Sequence, residues 1–289
     1  MKQITVLSGK GGTGKTSLVA AFAALSQRLV VSDCDVDAPD LHLLLHPRVE
    51  ETQAFTGARL AAINPAQCIH CGKCADSCRF DAITEEAVDP VLCEGCGVCA
   101  YVCPVAAITW TDRLSGYAYL SQTRYGPMSH ARLNPGEENS GKLVTLVRQN
   151  AKQLADAEGC DLILNDGPPG IGCPVIAAVG GVDLGLLVVE PTLSGIHDME
   201  RALALLAHFQ IPPLVCVNKY DVNLANTRSI DAFCRTRGIG VAGKIPFDPL
   251  VTQAMVAGQP VVVYAPTSRV AAAINELWQQ TLHRLSVTA

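Results

Sequence analysis

Gly9-Lys10-Gly11-Gly12-Thr13-Gly14-Lys15-Thr16 joins an apolar run, Ile4 to Leu7, to a segment of helical pattern starting at about Thr16 (SLVAAFAALSQ). The octet fits G-x-x-x-x-G-K-[ST], and a strand before it with a helix after it is the context in which that pattern forms a phosphate-binding loop. Glycines let the backbone N–H groups of Gly11, Gly12, Thr13 and Gly14 turn inward around phosphate oxygens, and the helix N-terminus adds a favourable dipole. Lys15 then reaches the β- and γ-phosphates and the Thr16 hydroxyl binds Mg²⁺. Ser17, next in line, joins the nucleotide-binding set.

Outward from the loop, the pattern continues as alternating strands and helices. A second strand ends in Ser32-Asp33-Cys34-Asp35-Val36-Asp37. The alternation stops near residue 60 and resumes near 142, where KLVTLVRQNAKQLADA places Leu143, Val144, Val147 and Leu154 on one side of a helix. DLILNDGPPG, DLGLLVVEP and PPLVCVNKY follow as continuous apolar runs, the mark of parallel strands covered on both faces. The expected fold class is α/β, a doubly wound and mostly parallel sheet built from residues 1–59 and 110–289, with 110–141 as the return connection. Val270, Ile274, Leu277, Trp278 and Leu285 recur at helical spacing near the C-terminus. Only Arg269, His283 and Arg284 could supply cations there, which favours a core helix over an interfacial one.

The interruption, residues 60–109, holds a two-fold repeat: CIHCGKCADSCRFDAIT (68–84) aligns with CEGCGVCAYVCPVAAIT (93–109). Eight of the chain's 13 cysteines lie in it, which points to local metal chemistry in a long chain without a leader sequence. Cysteines at 0, 3, 6 and 10 are the bacterial ferredoxin spacing, in which the fourth cysteine of each run serves the other cluster. Cys68, Cys71, Cys74 and Cys103 are therefore expected to hold one [4Fe–4S] cluster, and Cys78, Cys93, Cys96 and Cys99 the second. Gly72 and Gly97 follow the second cysteine of each run, where the chain must curl tightly. Four cysteines also bind Zn²⁺, but paired zinc sites come as two separated C-x2-C knuckles. The first run ends in Arg79 where the second has Pro104, and a cation there favours the reduced state slightly. The insert is thus expected to be a small ferredoxin-like α+β domain.

Hydrophobic residues make up 49% of the 289 and charged residues 17%, so a sizeable core can form. A net charge of −5 argues against nucleic acid as the main partner, and no run reaches the length of a membrane span. A soluble, cytoplasmic protein is expected. Cys160, Cys216 and Cys234 read as buried small hydrophobes. His42, His46, His70, His130, His197, His208 and His283 form no metal-spaced set.

K-G-G-T-G-K-T at 10–16, SDCDVD, DGPPGIG, VNKYD and KIPFD occur in that order and resemble the MinD/ParA/Mrp group of P-loop ATPases, which includes the nitrogenase iron protein. The resemblance covers nearly the whole chain. It implies ATP and ADP binding with Mg²⁺, hydrolysis that is slow without a partner, and a homodimer closed on ATP in which Lys10 reaches the nucleotide of the facing subunit. By the same resemblance Asp166 holds Mg²⁺ through water, Asp35 positions the attacking water, and Asp33 supports the metal shell. Asn218 and Lys219 match the adenine-reading segment, and Pro246 and Asp248 its second contact. Asp37 and Asp40 read as solvated. Cys173, seven residues after Asp166, matches a ligand of the bridging cluster in the nitrogenase iron protein. No second such cysteine is present, and a structural role is expected of it.

The leading expectation is an ATPase whose nucleotide state gates electron transfer, or metallocentre delivery, to an unknown redox or client protein. An iron–sulfur assembly scaffold and a redox-sensing, ATP-switched binding protein are the alternatives. The lone cysteines after Cys103 count against the scaffold, which uses a C-x-x-C pair.

Overall fold

The structure is a computed structural model that describes residues 1–85, 87–137 and 140–287. The chain begins with β1 (Lys2–Ser8), α1 (Lys15–Ala24), β2 (Leu29–Asp33), α2 (His42–Leu45) and β3 (Arg48–Ile63). The cysteine-rich part adds α3 (Lys73–Asp76), β4 (Ile83–Thr84), β5 (Ala87–Val88) and α4 (Val98–Val102). Next come β6 (Ile108–Thr123), β7 (Gly126–Leu133), α5 (Ser140–Glu158), β8 (Leu162–Pro169), α6 (Cys173–Val179) and β9 (Leu184–Val189). The chain finishes with α7 (Leu193–His208), β10 (Pro213–Asn218), α8 (Leu224–Thr236), β11 (Gly240–Ile245), α9 (Pro249–Val256), α10 (Val261–Tyr264) and α11 (Arg269–Val287).

Two compact units result: residues 1–52, 118–132 and 140–289 form one, and 53–117 with 133–139 the other. The second is wider than the 60–109 read from the cysteines, because β3 and β6 are 16-residue strands and the chain changes unit within each. A return connection at 110–141 is corrected: most of that stretch is β6 and β7, a hairpin turned at Arg124-Tyr125. Neither strand shows the long apolar run of the parallel ones.

In the first unit the order across the sheet is β11-β10-β9-β1-β8-β2-β7, continued by β6 and β3. β1 pairs in parallel with β8 and β9, β9 with β10, β10 with β11, and β2 with β8 and β7. Six of the seven residues of β1 are buried, as expected for a central strand covered on both faces. On one face α1 packs against α11, with the Phe22 and Trp278 rings stacked at 4.6 Å between centroids. The C-terminal helix buries Val270, Ile274, Leu277, Trp278 and Leu285, so it is a core helix as its pattern predicted. Met199, Leu203 and Leu206 of α7 fill the other face, together with Ile230 of α8. α5 buries Leu143, Val144 and Val147. The ends of β1, β2 and β8 open toward one edge of the sheet, and that edge carries the loop.

The second unit has little core. Its buried cluster is Ala61, Ile83, Cys99 and Ile108, and Cys74, Cys78, Cys93 and Cys103 pack against it. β4 and β5 form a two-residue antiparallel ladder, Ile83 opposite Val88 and Thr84 opposite Ala87. Gly72 (φ 72°) and Gly97 (φ 92°) cap α3 and α4 in the left-handed region, so the tight curl after each second cysteine falls where only glycine enters without strain.

Candidate functional site

The loop between β1 and α1 wraps one end of a cavity of about 380 Å³ lined by Gly12, Gly14, Lys15, Thr16 and Ser17. Gly14 has no room for a side chain: a Cβ there would sit 2.5 Å from Asn218 Nδ2. That amide donates to the Thr13 carbonyl at 2.8 Å, so the end of β10 is stitched to the loop. Lys219, Pro246, Phe247 and Asp248 line the far end of the cavity. Asp248 also caps α9, accepting from Leu250 N, while Asp221 accepts from Phe247 N at 2.7 Å and fixes the loop after β11. Leu43 and Leu44 of α2 and Met255 of α9 complete the apolar wall. Those three residues lie in no motif, and only the tertiary fold brings them here.

Lys15 is 6% exposed and faces a group of carboxylates. Asp33 and Asp166 are register partners on β2 and β8, both buried. Asp33 accepts from Asp35 N at 3.1 Å and from Leu41 N at 3.3 Å, whereas neither carboxylate oxygen of Asp166 has a hydrogen-bond partner. Burial pushes Asp166 up to about 6, against the pull of Lys15. Burial and the neighbouring Asp166 raise Asp33 well above the carboxylate range, and burial raises Asp35, with Lys15 opposing. Buried polar groups ordinarily have partners, and with Lys15 set against Asp33, Asp35 and Asp166 this corner is short of positive charge. A divalent ion brought with a nucleotide would supply it, so the residues present fit Mg²⁺. The Thr13 hydroxyl is likewise buried and without a hydrogen-bond partner. Gly11 is exposed, and neither it nor Lys10 lines the cavity.

Lys10 lies outside it, in an ion pair with Glu190, just past β9, at 3.3 Å. The same carboxylate holds Lys219 at 2.5 Å. Sequence reasoning missed Glu190, whose one signal was a carboxylate at the end of an apolar strand.

In the second unit a cavity of about 140 Å³ is lined by Cys68, Cys71, Cys74 and Cys103. Another, smaller, is lined by Cys78, Cys93, Cys96 and Cys99 together with Phe80 and Trp110. Each cavity therefore takes three cysteines from one run and the last cysteine of the other. Backbone N–H groups point at three of the sulfurs: His70 N at Cys68 (3.5 Å), Ala82 N at Cys78 (3.4 Å) and Ala107 N at Cys103 (3.3 Å). The amides of Val105 and Ala107 lower the Cys103 thiol. Burial raises Cys74 and Cys99, and each is raised further by the two other cysteines of its own run. Arg59 stacks 5.0 Å over Trp110, and Arg113 joins the Cys93 carbonyl (3.4 Å) to Glu137. Arg79 is exposed. Among the described residues no group of three or more His, Cys, Asp or Glu is arranged to hold a single metal ion.

Of the remaining cysteines, Cys34, Cys216 and Cys234 are buried, Cys160 is only half-buried, and Cys173 is exposed at the start of α6. The expectation that Cys160 is a buried hydrophobe is corrected, because it follows the last turn of α5 near Arg28 and Asp161. No helix among the described residues is long and apolar enough to cross a membrane.

A Gly-rich loop between a central parallel strand and a helix, with acidic residues at neighbouring strand ends, defines a P-loop nucleotide-binding protein. Residues 4–261 match the model of the CobQ/CobB/MinD/ParA nucleotide binding domain, and the chain belongs to that family, of MinD/ParA ATPase type. An uncharacterized protein of Methanocaldococcus jannaschii is 35% identical over 281 residues, spanning 96% of this chain and 95% of the relative. An iron-sulfur cluster carrier protein of Pyrococcus horikoshii is 23% identical over 307 residues, 98% of this chain and 86% of the relative. Among solved structures, the septum site-determining protein MinD complexed with Mg-ADP from Pyrococcus horikoshii has the same fold. It superposes with a TM-score of 0.62 at 19% identity, covering 100% of this chain and 98% of that one.

Proposed function

We propose that this chain is an ATPase whose nucleotide state controls two [4Fe–4S] clusters held in its second unit, and that two copies close on ATP. Lys15 and the loop amides hold the triphosphate, Thr16 and Asp166 hold Mg²⁺ with Asp33 in support, and Asp35 orients water. Asn218, Lys219, Pro246 and Asp248 surround the base. Cys68, Cys71, Cys74 and Cys103 would hold one cluster, and Cys78, Cys93, Cys96 and Cys99 the other. The observation that carries the reading is the crossed lining of the two cysteine cavities, three thiols from one run and the fourth from the other. The requirement of a cube, with sulfur ligands standing well apart, differs from that of a single ion.

Bound there, such clusters supply one-electron transfer. The chain's part is to hold the thiolates, through the amides of His70, Ala82 and Ala107, and to keep water off the buried Cys99. Gating is the finer proposal, motivated by order along the chain: the cysteine unit leaves soon after Asp35 and returns before Asp166, and segments at such positions respond to γ-phosphate. The test is the reduction potential of iron-loaded protein, and its rate of reducing an acceptor, with ADP and with a non-hydrolysable ATP analogue. Both should change with nucleotide; if neither does, gating is wrong.

A second reading, an iron–sulfur cluster carrier, is favoured by the printed names of relatives such as the Pyrococcus horikoshii protein. Anaerobic transfer of iron and sulfide to an apo-acceptor would establish it.

A further inference from the structure

Glu190 has no place in the reading above, yet it sits where two lysines of that reading meet. It follows β9, with 14% of its side chain exposed. One carboxylate oxygen binds Lys219 at 2.5 Å and the other binds Lys10 at 3.3 Å. Lys10 Nζ also lies 3.4 Å from Thr192 Oγ1, the N-cap of α7, and Lys219 Nζ lies 3.4 Å from the Gly12 carbonyl. Burial alone would raise the Glu190 carboxyl, but Lys219 and then Lys10 outweigh it and hold it low, so it is charged at neutral pH.

A Cβ on Gly9 would fall 2.1 Å from Asp198 Cβ, so this turn is packed against α7. The Lys10 side chain, 34% exposed, has room to change place. Moving it costs little at Glu190, because the carboxylate keeps Lys219 and is not left as an unpaired, mostly buried charge. Thr192 likewise keeps its bond to Gly195 N, at 3.0 Å.

We propose that Glu190 is the positioning residue of Lys10: it holds the ammonium within its own chain while the chain is unpaired, and releases it to phosphate when two copies close on ATP. This rests on the pairing proposed above. The contact is a restraint, and weakening it favours the closed pair.

The test follows the pairing of two chains by sedimentation velocity as Mg-ATP is raised, for wild type, Glu190→Gln, Lys10→Ala and the double variant. Thermal melts serve as the fold check. Glu190→Gln should pair at an ATP concentration roughly fivefold lower, the size expected of a partly exposed ion pair. In the Lys10→Ala background the same change should do nothing. Pairing of Glu190→Gln at the same or a higher ATP concentration overturns the proposal. A second readout needs no pairing: acetylation of Lys10 by an N-hydroxysuccinimide ester without nucleotide, scored against exposed Lys152 by mass spectrometry. Glu190→Gln should speed Lys10 labelling several-fold, since the contacts to Glu190 and Thr192 hold the amine away from the ester. Equal rates overturn the restraint even if Glu190→Gln folds normally. If wild type does not pair with ATP at all, the pairing fails while the labelling still decides the role of Glu190.

Discussion

The nucleotide loop and the cysteine cavities are both ligand cradles, but they are made of different material. The loop is backbone hung on a packed sheet: β1 is buried, α1 is buried nearly all round, and the largest fully buried side chains, Trp278, Phe22 and Ile4 among them, lie in that unit. In the cysteine unit the buried hydrophobic residues, among those described, are Ala61, Ala82, Ile83, Ala107, Ile108 and Leu133 with Cys99, and other cysteines pack against this small core. One cradle is shaped before its ligand arrives. The other is lined by residues that are themselves the core, so a cluster bound there, as proposed, would contribute to its folding.

The largest effect expected from this contrast is that of stripping iron. Small domains that lack an aliphatic core fold with their metal and unfold without it. Anaerobic chelation of iron-loaded protein should therefore open residues 53–117 to protease, while 140–287 stays protected and ADP still binds. Persistent protection of 53–117 in iron-free protein would show that its few apolar residues suffice, and the contrast would collapse.

Lys15→Ala probes the other side. The lysine is 6% exposed and lines the cavity at the end of the loop, so its loss should slow hydrolysis by about a hundredfold or more. Iron content should not change. Loss of iron in this variant would mean that the two cradles are not separable.

How much of this could be read in the sequence follows the same division. The phosphate loop and the cysteine runs are local patterns, because contiguous residues touch one ligand, and spacing alone set the loop and named the crossed cysteine sets. Leu43 and Leu44 of α2 and Met255 of α9 line the nucleotide cavity, and Glu190 holds Lys219 of its lining; the three segments are ordinary apolar or acidic stretches by themselves. β6 and β7 were hidden for another reason. They lie between the cysteines and α5, and neither carries the long apolar run of the central parallel strands. The boundary of the cysteine unit was missed with them.

The smallest expected effect concerns acid. Lowering pH should damage the cysteine unit through loss of iron, since thiolates must be deprotonated to hold metal. The nucleotide unit has its own acid-sensitive point, independent of iron. His130 on β7 is 9% exposed, its Nε2 lies 2.8 Å from Ser121 Oγ, and its ring stacks on Tyr119 at 5.0 Å. Burial, and then the nearby His42, lower it from 6.5 to about 4. A base whose folded value is depressed contributes stability in full above its unfolded value, and that stability is lost as pH falls from about 6.5 toward 4. The loss approaches about 3 kcal/mol at the bottom of the window, at 1.36 kcal/mol per unit. The raised acids Asp33, Asp35 and Asp166 act the other way in both proteins, so melting curves of iron-free protein from pH 7 to pH 4 should fall more steeply for wild type than for His130→Gln. An unchanged slope in that variant would assign acid sensitivity to other groups, and the claim that the two cradles respond to acid through different chemistry would lose its support.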